Sequence, residues 1–422
     1  MPDYKKKKHK KFSLTAPVTR LKKRGSKNKD TEREKEGYQR NSNLKVVEGK
    51  RREKKRRLYI ISGIVATIVA ILIILELTLA AGLFESIRIS VKLWGSGSYP
   101  ITLKSTETLN TVTKGSYYYV LSNTHLSAFS KSGKELFTFE HGFENPVLKT
   151  SASRSLVYDQ GGKDFYVFDI DGLLYTMSTE QPIITAAVAD RGRFAVATLS
   201  DKYNSEVKVF DKDANSIYEW YSAKDTISSV ALSNNGEKLA VATFNVTDSK
   251  FNSRISVLNY SSATPEKSES FENTQIRTIN NAFKSYFTVV TDNEVKTYEW
   301  DDFTSKSYKS DYNVMFFDSH SSGFVAVFAR ENDRTDNRVV VFNKKGNVSY
   351  NFTYNGNIND ITVLKSNVYI MNETEIYWLN NQGKVVSKAT CGFGGKNIFA
   401  VSSDSVAVIT DNEIQKVSLV KE

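Results

Sequence analysis

From about residue 100 onward, apolar and polar positions alternate with the period of two that a half-buried strand requires. "RFAVATLS", "KLAVATFN", "FVAVFARE" and "SVAVITD" show it most plainly, and "EVKVFDKD", "RVVVFNKKG" and "EIYWLNNQG" follow them as partner strands. Val, Ile, Phe and Tyr dominate because branched and aromatic side chains suit a pleated, partly buried surface. Two distant stretches are near copies: "VVTDNEVKTYEW" (Val289 to Trp300) and "VITDNEIQKVSL" (Val408 to Leu419).

Aligning the apolar strand that opens each such hairpin gives starts near Tyr118, Leu156, Phe194, Leu239, Phe287, Phe324, Val368 and Val406, at intervals of 38, 38, 45, 48, 37, 44 and 38 residues. A period of this size with β alternation predicts propeller blades. Unit three reads as four strands, "ITAAVADRG", "RFAVATLS", "EVKVFDKD" and "SIYEWYS". The eighth unit, from Lys396, stops after its third strand, while one extra strand, "SYPITLK" (Ser98 to Lys104), precedes unit one. If that segment supplies the missing outer strand, the ring closes and leaves few exposed edges. The expectation is an all-β, eight-bladed β-propeller over 98–422; seven blades would follow if two units were misread. Turns such as "DIDGLL" and "NKKGNV" join third to fourth strands, and Asp169, Asp171 and Gly172 read as turn formers. Leu173 and Leu174 at the fifth and sixth loop positions exclude an EF-hand.

Hydropathy changes the picture before residue 98. Seven charges in "RREKKRR" precede eighteen uncharged residues, Leu58 to Leu75, enough for ~27 Å of helix against a ~30 Å hydrocarbon core. The 57 residues ahead of it are too many for a secretory n-region, and the run exceeds the usual ~7–15. One uncleaved transmembrane anchor is expected over 58–84, with a juxtamembrane linker over 85–97. Residues 1–57 carry 23 Lys or Arg against 7 Asp or Glu, a net of +16. The whole chain is +11, so the body carries −5. This asymmetry predicts a cytoplasmic N-terminus and an extracytoplasmic domain in the cell membrane. The tail reads as disordered and drawn to anionic lipid. With only Tyr4, Phe12 and Tyr38 to stack on bases, nucleic acid is disfavoured as its partner. The single Cys391 excludes an intrachain disulfide.

On these strands and turns, residues 98–422 resemble WD-repeat and quinoprotein-type propellers. "LSAFSKSGKELF" (Leu126 to Phe137) is similar to a quinoprotein docking segment with Phe137 in place of Trp, and "WD" occurs once, at Trp300-Asp301. The layout of basic tail, anchor and propeller resembles membrane-anchored propellers of Gram-positive bacteria. That resemblance implies a location and a shape and supplies no catalytic residues.

No catalytic, cofactor or metal residues are assigned. His125, His141 and His320 fall among loop-like residues, and no zinc, redox or serine-hydrolase motif occurs. The vicinal cysteine pair of quinoprotein enzymes is absent. Binding is the better-supported class. Connections between second and third strands emerge on one face of a propeller, and three are long: Leu199 to Glu206, Phe244 to Arg254 and Ala329 to Arg338. Tyr203, Lys250, Phe251, Arg254, Arg330, Asp333, Arg334 and Arg338 are the contact residues they offer to a cell-envelope protein or polymer. The alternative is an extracytoplasmic hydrolase or lyase acting on glycan or peptide, whose paired carboxylates would converge from different blades.

Overall fold

A computed structural model of the chain describes residues 54–74, 83–104, 107–320, 322–330, 333–392 and 394–420, the side chains of residues 83, 84, 282 and 334 excepted. The tail expected over 1–57 falls outside the described residues up to residue 53. The chain divides into two compact units, Met1–Ala81 and Gly82–Glu422.

In the first unit, helix α1 (Lys54–Ile74) is long and apolar enough to cross a membrane, and its side chains are exposed. Its two hydroxyls are satisfied internally: Ser62 Oγ donates to the Tyr59 carbonyl at 3.0 Å and Thr67 Oγ1 to that of Gly63 at 2.9 Å. Such back-bonding is what an apolar solvent requires of a polar group. The rest of the expected span, 75–82, lies outside the described residues.

In the second unit, the described strands form eight sheets of four antiparallel strands. Seven are consecutive in sequence. The eighth has the order Ile101–Thr102, Glu413–Ser418, Ser405–Ile409, Asn397–Ser402, so an N-terminal strand completes the last blade. Ile101 pairs with Ile414 and Thr102 with Glu413. The molecule is an eight-bladed β-propeller, closed as the strand count predicts. All eight residues aligned in the sequence, from Tyr118 to Val406, are 0% exposed. Each stands first or second in the second strand of a blade, so the repeat marks the row packed most deeply between neighbouring sheets. The eight buried clusters each join adjacent blades, for example Ala240, Ala242, Ile255 and Val257 of blade 4 against Phe287 and Val289 of blade 5.

The duplicated hairpins have a physical cause. In both, the threonine before Asp-Asn-Glu bridges the turn. Glu294 N–H donates to Thr291 Oγ1 at 3.0 Å and that hydroxyl donates to the Glu294 carbonyl at 3.2 Å. Thr410 and Glu413 repeat both bonds at 3.1 Å.

Residues 85–97, expected as a linker, instead begin with helix α2 (Leu83–Lys92) docked on the propeller. Ile89 and Leu93 pack among Tyr117, Leu136 and Phe168 of blades 1 and 2. Arg88 donates to both Asp169 and Asp171 at 2.7 Å, and Glu85 grips the same guanidinium at 2.7 Å, which raises its pKa. Asp169 and Asp171 do form their turn, with Asp171 N–H donating to Asp169 Oδ1 at 2.8 Å. Their second role as the seat of α2 is not visible in the turn itself. From α2 the chain crosses the blade 1 turn with glycine against glycine: a Cβ on Gly97 would lie 2.1 Å from the Gly133 main chain. It then enters the closing strand.

Candidate functional site

All first strands run alike along the axis, so every second-to-third connection lies on one face and every first-to-second and third-to-fourth connection on the other. Asp169, Asp171 and Lys134, which hold α2, are third-to-fourth residues. The three long connections therefore emerge on the face opposite α2.

Two of them are not loops. The pairing of Lys238–Thr247 with Lys250–Asn259 continues to Thr247 and Lys250, making a hairpin arm on blade 4. Asp248 and Ser249 at its tip have φ of +51° and +60°, the two-residue mirror-type turn that suits strand twist. On blade 6, Gly323–Arg330 pairs with Asp333–Asn343 out to Arg330 and Asp333 through a bulge. Between these arms blade 5 has its own four-residue turn, Thr291–Glu294, and the entering connection 272–275, whose Thr274 N–H donates to the Phe251 carbonyl at 2.9 Å. Both are short beside the arms, which leaves a notch over blade 5.

Strand alternation decides what faces it. Phe244, Val246 and Phe251 continue the row Ala240, Ala242, Ile255 that packs on blade 5 below. Phe244 and Phe251 stack at 5.2 Å, Val246 is 57% exposed and Phe251 36%. Opposite, Arg330 and Arg338 continue the row Phe324, Ala326, Phe328, Val340 that packs on blade 5 from blade 6. Arg330 lies over the Tyr312 ring at 5.2 Å and donates to its hydroxyl at 3.2 Å. One wall is apolar; the other carries Arg330 and Arg338, with Asp336 beside them in the same strand row. Asp333 caps the arm: the Thr335 hydroxyl and N–H donate to its Oδ1 at 2.6 and 3.1 Å and hold its carboxyl below the ordinary value.

The eight sequence-selected residues thus separate. Phe251, Arg330 and Arg338 face the notch, and Asp333 stands at the blade 6 tip. Lys250 and Arg254 alternate onto the other side of the blade 4 arm, toward blade 3. Tyr203 stands apart, its ring tilted against that of Tyr221 with centroids 5.0 Å apart. The side chain of Arg334 lies outside the described residues. Phe244 and Val246 were missed, although the alternation in "FNVTDSKF" signals an extended hairpin.

The inner strands of all eight blades enclose a central channel of about 570 Å³. Two aspartates in it tie blades together. Asp318 Oδ2 accepts from the Thr362 hydroxyl at 2.9 Å and Val363 N–H at 3.3 Å. Asp360 accepts from Ile361 N–H at 2.9 Å and, on the next blade, Ile398 N–H at 2.8 Å. Burial pushes Asp318 up to about 6 and Asp360 up to about 7, with the charge of Asp318 adding to the latter. His320, expected in a loop, is the last residue of the blade 6 inner strand and lines this channel. Among the described residues, no three His, Cys, Asp or Glu side chains gather as a metal site. His141 is buried against Ser122 and Phe143, and Cys391 packs as a small apolar residue.

The fold is shared widely. BamB from Moraxella catarrhalis is similar at 10% identity and a TM-score of 0.50, over 77% of this chain and 99% of that one. A eukaryotic initiation factor is similar at 14% identity and a TM-score of 0.48, over 76% and 88%. No curated protein matches the sequence. Residues 97–419, the disc with its closing strand, match the family described as "Family of unknown function (DUF5711)", and the chain belongs to that family.

Proposed function

We propose that this protein is a single-pass membrane protein, N-terminus in the cytoplasm, whose propeller binds an envelope protein or polymer outside the cell without catalysis. The observation that carries the reading is the notch over blade 5. It suits an extended segment that lays apolar groups against Phe244, Val246 and Phe251 and acidic groups against Arg330 and Arg338. Rigid hairpins present these side chains with little ordering cost on binding.

Orientation is supported by α2. Its outer side exposes Ile87 (47%), Val91 (63%) and Trp94 (81%), four and three residues apart, an apolar stripe suited to a bilayer surface. With α2 on the membrane, the notch faces away from it. The Lys/Arg excess before α1 supplies the topology. Replacing Phe251 and Arg338 together by Ser and Glu tests the binding reading: partner crosslinking in intact cells should fall while the fold persists, and unchanged crosslinking would oppose it.

A second reading, an extracytoplasmic hydrolase or lyase acting on glycan or peptide, draws on Asp318 and Asp360, whose raised pKa values suit acid–base work. Their bonds to neighbouring inner strands account for both as struts. Loss of a glycan- or peptide-cleaving activity in Asp360→Asn, with stability retained, would favour the enzyme.

A further inference from the structure

The outer strand of a blade turns alternate residues toward the next blade and toward the previous one. In blade 3 (outer strand Ser216–Ser222), Tyr218 and Trp220 pack toward blade 4, so Tyr221 and Glu219 turn toward blade 2. Tyr221 lies opposite Glu206, one step before Val207, the first third-strand residue in the cluster shared with the next blade. The same register position in blades 1, 2, 4, 5, 6 and 7 holds Glu140, Ser178, Ser270, Lys309, Thr353 and Thr390, all polar. Blade 3 departs from this rule with an aromatic ring that is 42% exposed.

A second ring joins it. Tyr203, 43% exposed, comes from the connection 200–204 and tilts against Tyr221 with centroids 5.0 Å apart. The connection is pinned along its length. Ser200 Oγ donates to Glu206 Oε2 at 3.0 Å, Gln181 Nε2 to Asp201 Oδ2 at 2.8 Å, and Asn204 N–H to the Ser222 carbonyl at 3.1 Å. The rings therefore form a fixed apolar ledge open to solvent. Polar groups on the same strand face border it. Tyr221 Oη donates to Glu219 Oε2 at 2.6 Å, and Lys208 Nζ stands 3.7 Å from both Glu206 Oε1 and Glu219 Oε1. Lys208 and Glu219 stay partly exposed.

An apolar ledge edged by carboxylate, ammonium and carboxylate fits a molecule that is apolar on one face and hydroxylated at its rim. A pyranose ring has this character: its C–H face stacks on an aromatic ring, and its neighbouring hydroxyls each donate and accept. The carboxylates take the donated protons and the ammonium meets the lone pairs. Tyrosines supply such contact area at low ordering cost, the more so on a pinned connection. A proline-rich peptide would also stack on the rings, yet its prolines have no N–H to give the carboxylates. We propose that Tyr203 and Tyr221 form a glycan-binding ledge on the blade 2 side of blade 3, with Glu206, Lys208 and Glu219 meeting the hydroxyls of one pyranose unit. The ledge shares no residue with the notch and stands or falls without it.

The test uses the full chain in a zwitterionic, sugar-free detergent, titrated by calorimetry with chitotetraose, with cellotetraose and, in parallel, with deca-proline. Saturation-transfer NMR reports which ligand protons touch the protein. Saturable oligosaccharide binding is expected, with transfer strongest at ring C–H protons. It should weaken at least about tenfold in Tyr203→Ala and in Tyr221→Ser, which installs the residue blades 2 and 4 carry there. Tyr221→Phe keeps the ring and should stay within about threefold of the native chain. The notch variant Phe251→Ser/Arg338→Glu should bind the sugars as the native chain does. If Tyr221→Ser misfolds, Tyr203→Ala and Glu219→Gln carry the test. Absence of saturable binding to both oligosaccharides, native affinity in Tyr203→Ala, or binding of deca-proline in their place would overturn the proposal.

Discussion

The main-chain N–H of Leu103 donates to the Asn412 carbonyl at 2.7 Å, so the segment just after α2 is stitched to the last hairpin of the chain. Leu103 is 8% exposed and packs with Tyr118 and Phe129 of blade 1 and Phe399, Ala407 and Ile414 of blade 8. The seam is thus held by one strand pairing of two residue pairs, by this main-chain bond, and by Leu103 with Tyr99 and Ile101 packed on the same cluster.

Leu103→Ala should therefore destabilise the propeller by roughly 2–5 kcal/mol, the range for truncating a buried leucine. Gly97→Ala should also destabilise it, since the new Cβ would overlap the Gly133 main chain. Denaturant unfolding of both variants checks this; midpoints equal to the native value would show that the seam does not hold the ring.

The strap α2 should loosen without global unfolding when its ion cluster is cut. Asp169 is 6% exposed at its side chain, and Arg88 reaches it from a partly exposed position. Arg88→Ala should cost of order 1 kcal/mol, discounted for that exposure. It should raise amide exchange across Ile87–Leu93 while the blade strands exchange as before. In proteoliposomes with brominated lipid, Trp94 fluorescence should be quenched and the quenching lost in Trp94→Phe. An unquenched Trp94 would contradict the proposed orientation.

A pH signature follows from Asp318 and Asp360. Both hold their protons more tightly in the folded chain, at about 6 and about 7, than at the ordinary 3.8. The folded state binds more protons between these values, so their contribution to stability is full below about pH 4 and falls as pH rises to about 7. Asp318→Asn and Asp360→Asn keep a carbonyl acceptor for the strand N–H groups and should flatten this decline. A native-minus-variant difference in unfolding midpoint that grows with pH would contradict the assignment.

The blade architecture was legible because a single local feature repeats. An apolar strand before a polar turn recurs wherever a second strand must be buried on both faces, and Tyr118 through Val406 mark it. The closing strand was legible by counting, since a third strand ending at Ser418 leaves an edge that Ser98–Lys104 can cover. What stayed hidden depends on relations between blades. Asp169 and Asp171 satisfy their own turn, so nothing local signals that Arg88 needs them. The arms escape a local reading because Asn245, Lys250 and Asn252 are poor strand formers, whereas hairpin pairing outweighs that propensity once Phe244 and Phe251 stack.

The proposed binding face can be tested most directly by placing a photo-crosslinking amino acid, one site at a time, at Phe251, at Arg338 and, on the α2 face, at exposed Lys344, in cells carrying the full chain. The account predicts one discrete adduct shared by positions 251 and 338, absent at 344, and lost from position 251 when Arg330→Glu and Arg338→Glu are added. Adducts absent from 251 and 338, or equal at 344, would contradict it.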